Sequence, residues 1–232
     1  EFPVTTPRFT PVADHALLVE FARALDDAAH EAVLRLDAAL ATAPCPGLRE
    51  WVPAFVNLLV DFDPAVTDHA RVEAHVTGLL DQAGAPGAIP VTHEVGVCYE
   101  EPFARDLAAV ADKTGLSEEA VIAAHLAGDY RVYLYGFAPG YAYMAGVPPA
   151  LRLDRKTAPV RGIAAGSVIV AGPQCLITTL TMPTGWWILG RSPVKVLTGD
   201  EDRPFLFGVG DRVRFRRLSL AEFEAENGAS HG

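Results

Sequence analysis

Four polar side chains stand among aromatic and glycine-rich segments in the C-terminal half of the chain: His125, Arg161, Gln174 and Arg191, beside Tyr141, Tyr143 and Trp186. That mixture suits recognition of a small polar ligand. An arginine grips a carboxylate or carbamate through two parallel hydrogen bonds, and surrounding aromatics exclude water from those contacts. His125 and Arg161 are the catalytic candidates, His125 as a group able to transfer a proton. Phe137, Pro139, Gly140, Tyr141, Tyr143, Gln174, Gly185, Trp186 and Arg191 form the candidate substrate-binding set. Two of these residues carry a second reading. His125, near a helix end, also fits a structural or capping histidine. Trp186 and Trp187 alternate across a strand, so one ring belongs to the core and the other can face a cleft.

The stretch "YLYGFAPGYAYMAGVPPALRL", residues 133–153, holds three glycines, three prolines and four tyrosines. Glycine gives up backbone entropy on folding and proline lacks a hydrogen-bond donor, so such a cluster fixes a loop in one shape. The loop at 136–146 is therefore read as a pocket wall that presents Phe137, Tyr141 and Tyr143.

Other chemistries find less support. His69 and His75 lie about 240° apart on a helix, and no cluster of His, Cys or Asp has metal-ligand spacing. No metal is expected. Gly166-Ser167 lacks the Gly-x-Ser-x-Gly elbow of serine hydrolases. "FGVGDRV" (207–213) begins like a dinucleotide fingerprint but lacks its last glycine and a following helix, and no Walker-type loop occurs.

The chain has 232 residues, half of them apolar, and a formal charge of -10. Its length suits one or two domains with a buried core. Its charge argues against a nucleic-acid backbone or an anionic membrane surface as partner. No apolar run approaches the ~20 residues that span a bilayer. Three widely spaced cysteines, Cys45, Cys98 and Cys175, do not make a disulfide framework, so a reducing cytoplasm is the default location.

Two textures follow one another. In residues 8–88, "ALLVEF" (16–21) predicts a strand, and Ala29, Val33, Leu36 and Leu40 predict a helix. "FVNLLVDFDP" (55–64) predicts a second buried strand, and Val72, Val76, Leu79 and Leu80 a second helix closed by Gly84 and Pro86. The sum is a small α/β sandwich, residues 1–88, with a linker-like boundary at 84–90. From 89 to 232 come two short helices, the second starting at Ser117, whose hydroxyl can cap it. "YRVYLYG", "GSVIVAG", "CLITTLTM", "GWWILGRS" and "DRVRFRRL" then predict strands of a barrel or sandwich. Val213 and Phe215 face inward, the "RVRFRR" run reads as a solvated strand face protecting an edge, and the tail after Leu220 reads as a frayed helix. The fold class is α+β.

Several of these stretches, "ADHALLVEF", "WVPAFVNLLVDFDP", "VGVCYEEPFARDL", "GLSEEAVIAAH", "YRVYLYGFAPGYAYMAG", "AAGSVIVAGPQ" and "GWWILGRSP", stand in one fixed order along nearly the whole chain. In these the chain resembles the allophanate hydrolase subunit 1 group, which includes one of the subunits of the ATP-dependent bacterial 5-oxoprolinase and a sporulation-kinase inhibitor. The resemblance implies a small N-terminal α/β domain followed by a cyclophilin-like β-barrel. It implies a non-autonomous hydrolase subunit that acts on a small lactam, amide or urea beside a homologous second subunit, with ATP at a shared site. Two alternatives come with it: a regulator that binds and inhibits a sensor histidine kinase, and a carboxyltransferase-like domain that meets biotin.

The sequence also departs from the group. Pro159-Val160 replaces a usual Pro-Arg and leaves Arg161 one place along, and Asp154-Arg155 replaces an earlier Pro-Arg. Met182-Pro183-Thr184-Gly185-Trp186 stands for Ser-Pro-Gly-Gly-Trp, and Thr178-Thr179 for Tyr-Pro. A shifted basic contact, a different amide and a loss of catalysis all stay open on these changes.

Overall fold

The computed structural model describes residues 6–82 and 90–229. The chain divides into two compact units, Glu1–Ile89 and Pro90–Gly232. The boundary read at Ala88 and the helix-stop signals Gly84 and Pro86 lie outside the described residues.

The first unit is a four-stranded antiparallel sheet with two helices. Strands β1 (Arg8–Val12), β2 (Ala16–Glu20), β3 (Leu48–Pro53) and β4 (Asn57–Phe62) lie in the order β1-β2-β4-β3. Alternation along β2 and β4 turns Leu17, Val19, Leu58, Val60 and Phe62 to one face. Helices α1 (Asp27–Thr42) and α2 (His69–Gln82) cover that face with Val33, Leu36, Leu40, Val72 and Val76. Asp26 starts α1 by accepting the Ala29 N–H at 2.7 Å. The two expected strands are the central ones. The edge strands β1 and β3 are half-exposed and carry Pro11 and Pro53, which an edge tolerates because its outer N–H groups have no ladder to join.

The second unit is a closed seven-stranded barrel. Its strands are β5 (Thr92–Cys98), β6 (Tyr130–Tyr135), β7 (Ala142–Ala145), β9 (Ser167–Ala171), β10 (Gln174–Ile177), β12 (Trp187–Arg191) and β13 (Arg212–Leu218). They close in the order β10-β7-β6-β13-β5-β12-β9. A separate two-stranded sheet pairs β8 (Val160–Ile163) with β11 (Met182–Thr184). Helices α3 (Leu107–Thr114) and α4 (Glu118–Leu126) add Leu107, Val110, Val121 and Ile122 to the barrel interior, and α5 (Leu220–Ala229) ends the unit. Ser117 caps α4 through its hydroxyl on the Ala120 N–H, and Gly115 ends α3 in the left-handed region. The architecture is α+β, as the sequence predicts.

Three expectations change here. The "RVRFRR" run is no edge: β13 pairs with β5 in parallel along its full length and with β6 on its other side. Val213 and Phe215 do face inward. The outward arginines are held by carboxylates, Arg212 by Asp129 at 2.7 Å and Arg216 by Glu94 at 3.2 Å. "CLITTLTM" is two strands rather than one. The regular ladder of β10 ends at Thr178: its N–H still donates to Ser167 O at 2.9 Å, but the Ser167 N–H goes to Thr178 Oγ1 at 2.9 Å instead of to its carbonyl, which takes the Gly166 N–H at 2.6 Å. The loop at 136–146 contains a strand, β7, whose Ala142 and Met144 point into the barrel.

Candidate functional site

The site is built on the outer face of the barrel wall. In β7, β9 and β10 the side chains alternate, so Met144, Val168, Val170, Cys175 and Ile177 fill the interior while Tyr143, Ile169 and Leu176 point out. Ile163 on β8 and Met182 on β11 pack against this outer face with Ile169, Leu176, Trp186 and Ile188, so the small sheet lies over the barrel wall. Beside this second apolar layer opens a cavity of ≈ 130 Å³. Phe137, Tyr141, Tyr143, Arg155, Gly185 and Trp186 are on its lining, with Thr178 and Thr184 among the polar groups.

Two aromatic pairs shape the walls. Phe137 and Tyr141 have ring centroids 5.7 Å apart, and Tyr143 meets Trp186 edge-to-face at 5.8 Å. The Arg155 guanidinium lies over the Trp186 ring, 5.5 Å from its centroid. Burial pushes the Tyr141 and Tyr143 hydroxyls above the ordinary phenol range, and the nearby Arg155 charge only partly offsets this at Tyr143. Both phenols therefore stay protonated at neutral pH and can donate hydrogen bonds. The site offers a flat aromatic wall, hydroxyl donors and one planar cation, which together fit a small planar molecule with an oxygen-rich end.

The loop before β7 holds its shape through its own backbone. Ala138 N–H donates to Gly136 O at 2.8 Å, Tyr141 N–H to Ala138 O at 3.1 Å, and the Thr179 hydroxyl to Pro139 O at 2.6 Å. Phe137 sits at φ +69° although it is not glycine, and 74% of it is exposed. A left-handed phenylalanine costs about 1–2 kcal/mol, and such strain collects at binding sites. Gly140, at φ +74°, leaves no room for a side chain: a Cβ there would stand 2.8 Å from Leu197 Cδ2 and 2.9 Å from Thr179 Cγ2. Gly140→Val is expected to cost about 1–2 kcal/mol from backbone handedness alone and to displace Tyr141. A lowered urea midpoint with barrel circular dichroism kept is the result that checks it.

Of the residues expected from the sequence, Phe137, Tyr141, Tyr143, Gly185 and Trp186 come together at this cavity, with Pro139 and Gly140 in the loop behind it. Gln174 stands on the same outer face of β10 as Leu176 but at the far end of the strand, opposite Ala145 and Ala171. Arg161 is exposed on β8 and is not on the cavity lining. Arg191 lies elsewhere: its Nε donates to Ala165 O at 3.0 Å, and its guanidinium covers Phe103 and Phe223.

His125 does not join the site, and the expectation of a proton-transfer role is corrected. It is fully buried in the barrel unit, with Nδ1 2.7 Å from the Tyr99 hydroxyl and Nε2 3.7 Å from Cys175 Sγ. Phe215 stacks on its ring at 4.7 Å. Desolvation lowers its pKa to about 3, so the ring stays neutral without contact with solvent. Its second reading, a structural histidine, matches this placement. The tandem tryptophans join different apolar layers, Trp187 the main core and Trp186 the outer one, and each also lines a cavity, so they do not split into one core ring and one cleft ring.

Sequence reasoning gave Arg155 no part in the site. Its signal is the Arg155-Lys156 pair in a proline-flanked stretch, but only the fold lays that pair along Trp186 and Trp187. The Nε2 atoms of His69 and His75 sit 3.1 Å from Ala16 O and 2.9 Å from Ala43 O. Among the described residues no three His, Cys, Asp or Glu side chains are grouped to hold an ion, and no helix is long and apolar enough to cross a membrane.

Comparison with known proteins bears on the whole chain. Residues 7–207 match the family described as carboxyltransferase domain, subdomain C and D. The chain is 31% identical over 228 residues to a protein of Bacillus subtilis (strain 168) named as a 5-oxoprolinase subunit, covering 92% of this chain and 94% of that one. Its namesake in Escherichia coli O157:H7 is 37% identical over 122 residues, 53% of this chain and 56% of that one. The crystal structure of TTHA0988 is similar at 38% identity with a TM-score of 0.77, covering 89% of this chain, which spans only 40% of that protein's length. Urea amidolyase of K. lactis, at 16% identity and a TM-score of 0.77, shares the fold. The chain belongs to the carboxyltransferase-domain family, subdomain C and D.

Proposed function

We propose that this protein is a non-autonomous subunit of a 5-oxoprolinase-type enzyme, binding a small lactam or amide in the Trp186 pocket and acting with a homologous second subunit. The observation that carries this reading is the chemistry of the pocket in a chain whose relatives are named as a subunit of that enzyme. Its side-chain polar groups, among the described residues, are two phenols, one guanidinium, the Trp186 indole and two threonine hydroxyls, of which that of Thr178 already donates to Ala164 O. These bind and orient. They do not supply a basic or carboxylate group to activate water, so those groups would come from the partner.

A planar five-membered lactam would lie against Trp186 and Tyr143, with Arg155 meeting its oxygen-rich end through charge-assisted hydrogen bonds. The protonated Tyr141 and Tyr143 would donate to a carbonyl oxygen, favouring charge that builds on it as the amide bond is attacked. ATP would be consumed by the assembled enzyme. Phe137, exposed on the pocket rim and held there against its backbone preference, supports a protein contact beside the site.

The experiment is reconstitution. The isolated chain is expected to show no 5-oxoproline turnover, and the chain mixed with its second subunit and the remaining enzyme component to show ATP-dependent turnover. Robust turnover by the chain alone, or full activity of the assembly without it, is the result against this reading.

A further inference from the structure

A second cavity, ≈ 620 Å³, lies on the other side of Arg155 and is lined by Lys113, Asp154, Arg155, Lys156, Thr157 and Trp187, together with Leu153 and Ala158. Its shape comes from a short strap zipped along the tandem tryptophans. Lys156 N–H donates to Gly185 O at 2.7 Å, and Trp187 Nε1–H donates to Asp154 O at 2.8 Å. That register lays Arg155 over Trp186 and Lys156 over Trp187, the latter at 5.2 Å. Lys113, from the last turn of α3, reaches the same Trp187 ring at 5.6 Å.

Two ammonium groups thus share one indole, with a guanidinium beside them. Lys156 is fixed: it forms a largely buried ion pair with Asp106, whose Oδ2 also accepts the Ile188 N–H at 2.8 Å. Lys113 and Arg155 are exposed to solvent. Asp154 is the single carboxylate on the lining, and with Lys156 already neutralised by Asp106 it faces two further cations, Lys113 and Arg155. In a chain whose formal charge is -10, holding Lys113 and Arg155 beside the Lys156–Asp106 pair costs some repulsion, and the indole faces offset only part of it.

We propose that this groove binds the di- or triphosphate chain of a small molecule, with Lys156 as the fixed floor and Lys113 and Arg155 gripping from either side. A lone carboxylate would gain little, because exposed ion pairs are screened and each contributes weakly. A ligand carrying several linked oxyanions engages Lys113 and Arg155 at once and takes the N–H donors that Lys156 has left beyond Asp106, and the planar guanidinium matches two phosphate oxygens. The groove shares Arg155 with the Trp186 pocket, so phosphate binding is read with no lactam present, and Lys113, which lines the groove and not the pocket, tells a failure of this site from a failure of the amide reading.

Titration calorimetry of the full chain at low salt, with inorganic tripolyphosphate, orthophosphate, adenosine and ATP, tests it. Tripolyphosphate is expected to bind, to weaken as salt rises, and to exceed orthophosphate by about tenfold, the value of one further charged hydrogen bond. Lys113→Gln should weaken it up to about 5-fold, as for an exposed pair, and Arg155→Gln about tenfold, as for a charged hydrogen bond. Both side chains are exposed, so the variants should keep the parent's circular dichroism. Equal affinities for ATP and tripolyphosphate would mean that the groove reads phosphates alone. Tighter ATP with silent adenosine would make a nucleotide the source. Either supports the site. Absence of tripolyphosphate binding at millimolar concentration, binding of ATP without tripolyphosphate, or unchanged affinity in the double variant overturns it.

Discussion

Between pH 7 and pH 4 the barrel unit is expected to lose about 3 kcal/mol of stability through His125 alone. Burial lowers the pKa of this ring from 6.5 to about 3. Above pH 6.5 the ring is neutral in both folded and unfolded chains, and its contribution is full. Below that, the unfolded chain takes up a proton that the folded chain refuses, so each pH unit removes about 1.4 kcal/mol until the folded pKa is reached. The groups facing the ring are Tyr99, Tyr130, Cys175 and Phe215, and burial pushes both phenols and the thiol upward, so none of them supplies a charge to hold an imidazolium. His125→Leu should flatten this slope. It should also cost about 1–3 kcal/mol at neutral pH by leaving the Tyr99 hydroxyl without its ring nitrogen. Urea midpoints of parent and variant at pH 7, 5.5 and 4 decide it, because carboxylates titrate alike in both. Identical slopes in the two proteins would falsify the assignment.

His125 also shows why a site is harder to read from sequence than a fold. Its place near a helix end was legible, but the partners that bury it come from β10, β13 and the segment after β5, up to 90 residues away (125 to 215). Periodicity carries no information about such distant neighbours. The central strands of the first unit were legible because Leu17, Val19, Leu58 and Val60 alternate, whereas β1 and β3 were hidden by prolines that only their edge position permits. Cap chemistry, being local, read true at Ser117. The aromatic loop stood out by composition, yet β7 within it is recognisable only once Ala142 and Met144 have a barrel to point into. The sequence marks Arg161 as a candidate site residue and not Arg155. What separates them is that the 154–156 strap pairs with Gly185 and Trp187, which no spacing rule encodes.

Trp186→Ala is expected to lower kcat/KM of the reconstituted enzyme for its lactam on the order of 100-fold, about 2.7 kcal/mol of transition-state stabilisation. The ring is a wall of the pocket, holds Tyr143 edge-to-face, and gives Arg155 the surface on which it rests. Removing it frees the two groups that would orient the substrate, so the loss should appear in kcat as well as KM. Trp186 also packs with Ile169, Leu176 and Ile188, and its truncation should destabilise the unit by about 3–5 kcal/mol. A fall in activity by itself is therefore ambiguous. Leu189→Ala resolves it: that side chain is fully buried inside the barrel, away from the pocket, and its loss costs about 2–5 kcal/mol. Assayed at a temperature where urea titration shows both variants folded, Leu189→Ala should keep kcat/KM within a few-fold of the parent. If both variants lose activity in step with stability, the Trp186 pocket is a structural layer and the substrate sits elsewhere. If only Trp186→Ala loses it, the outer face of the barrel wall is where the lactam binds.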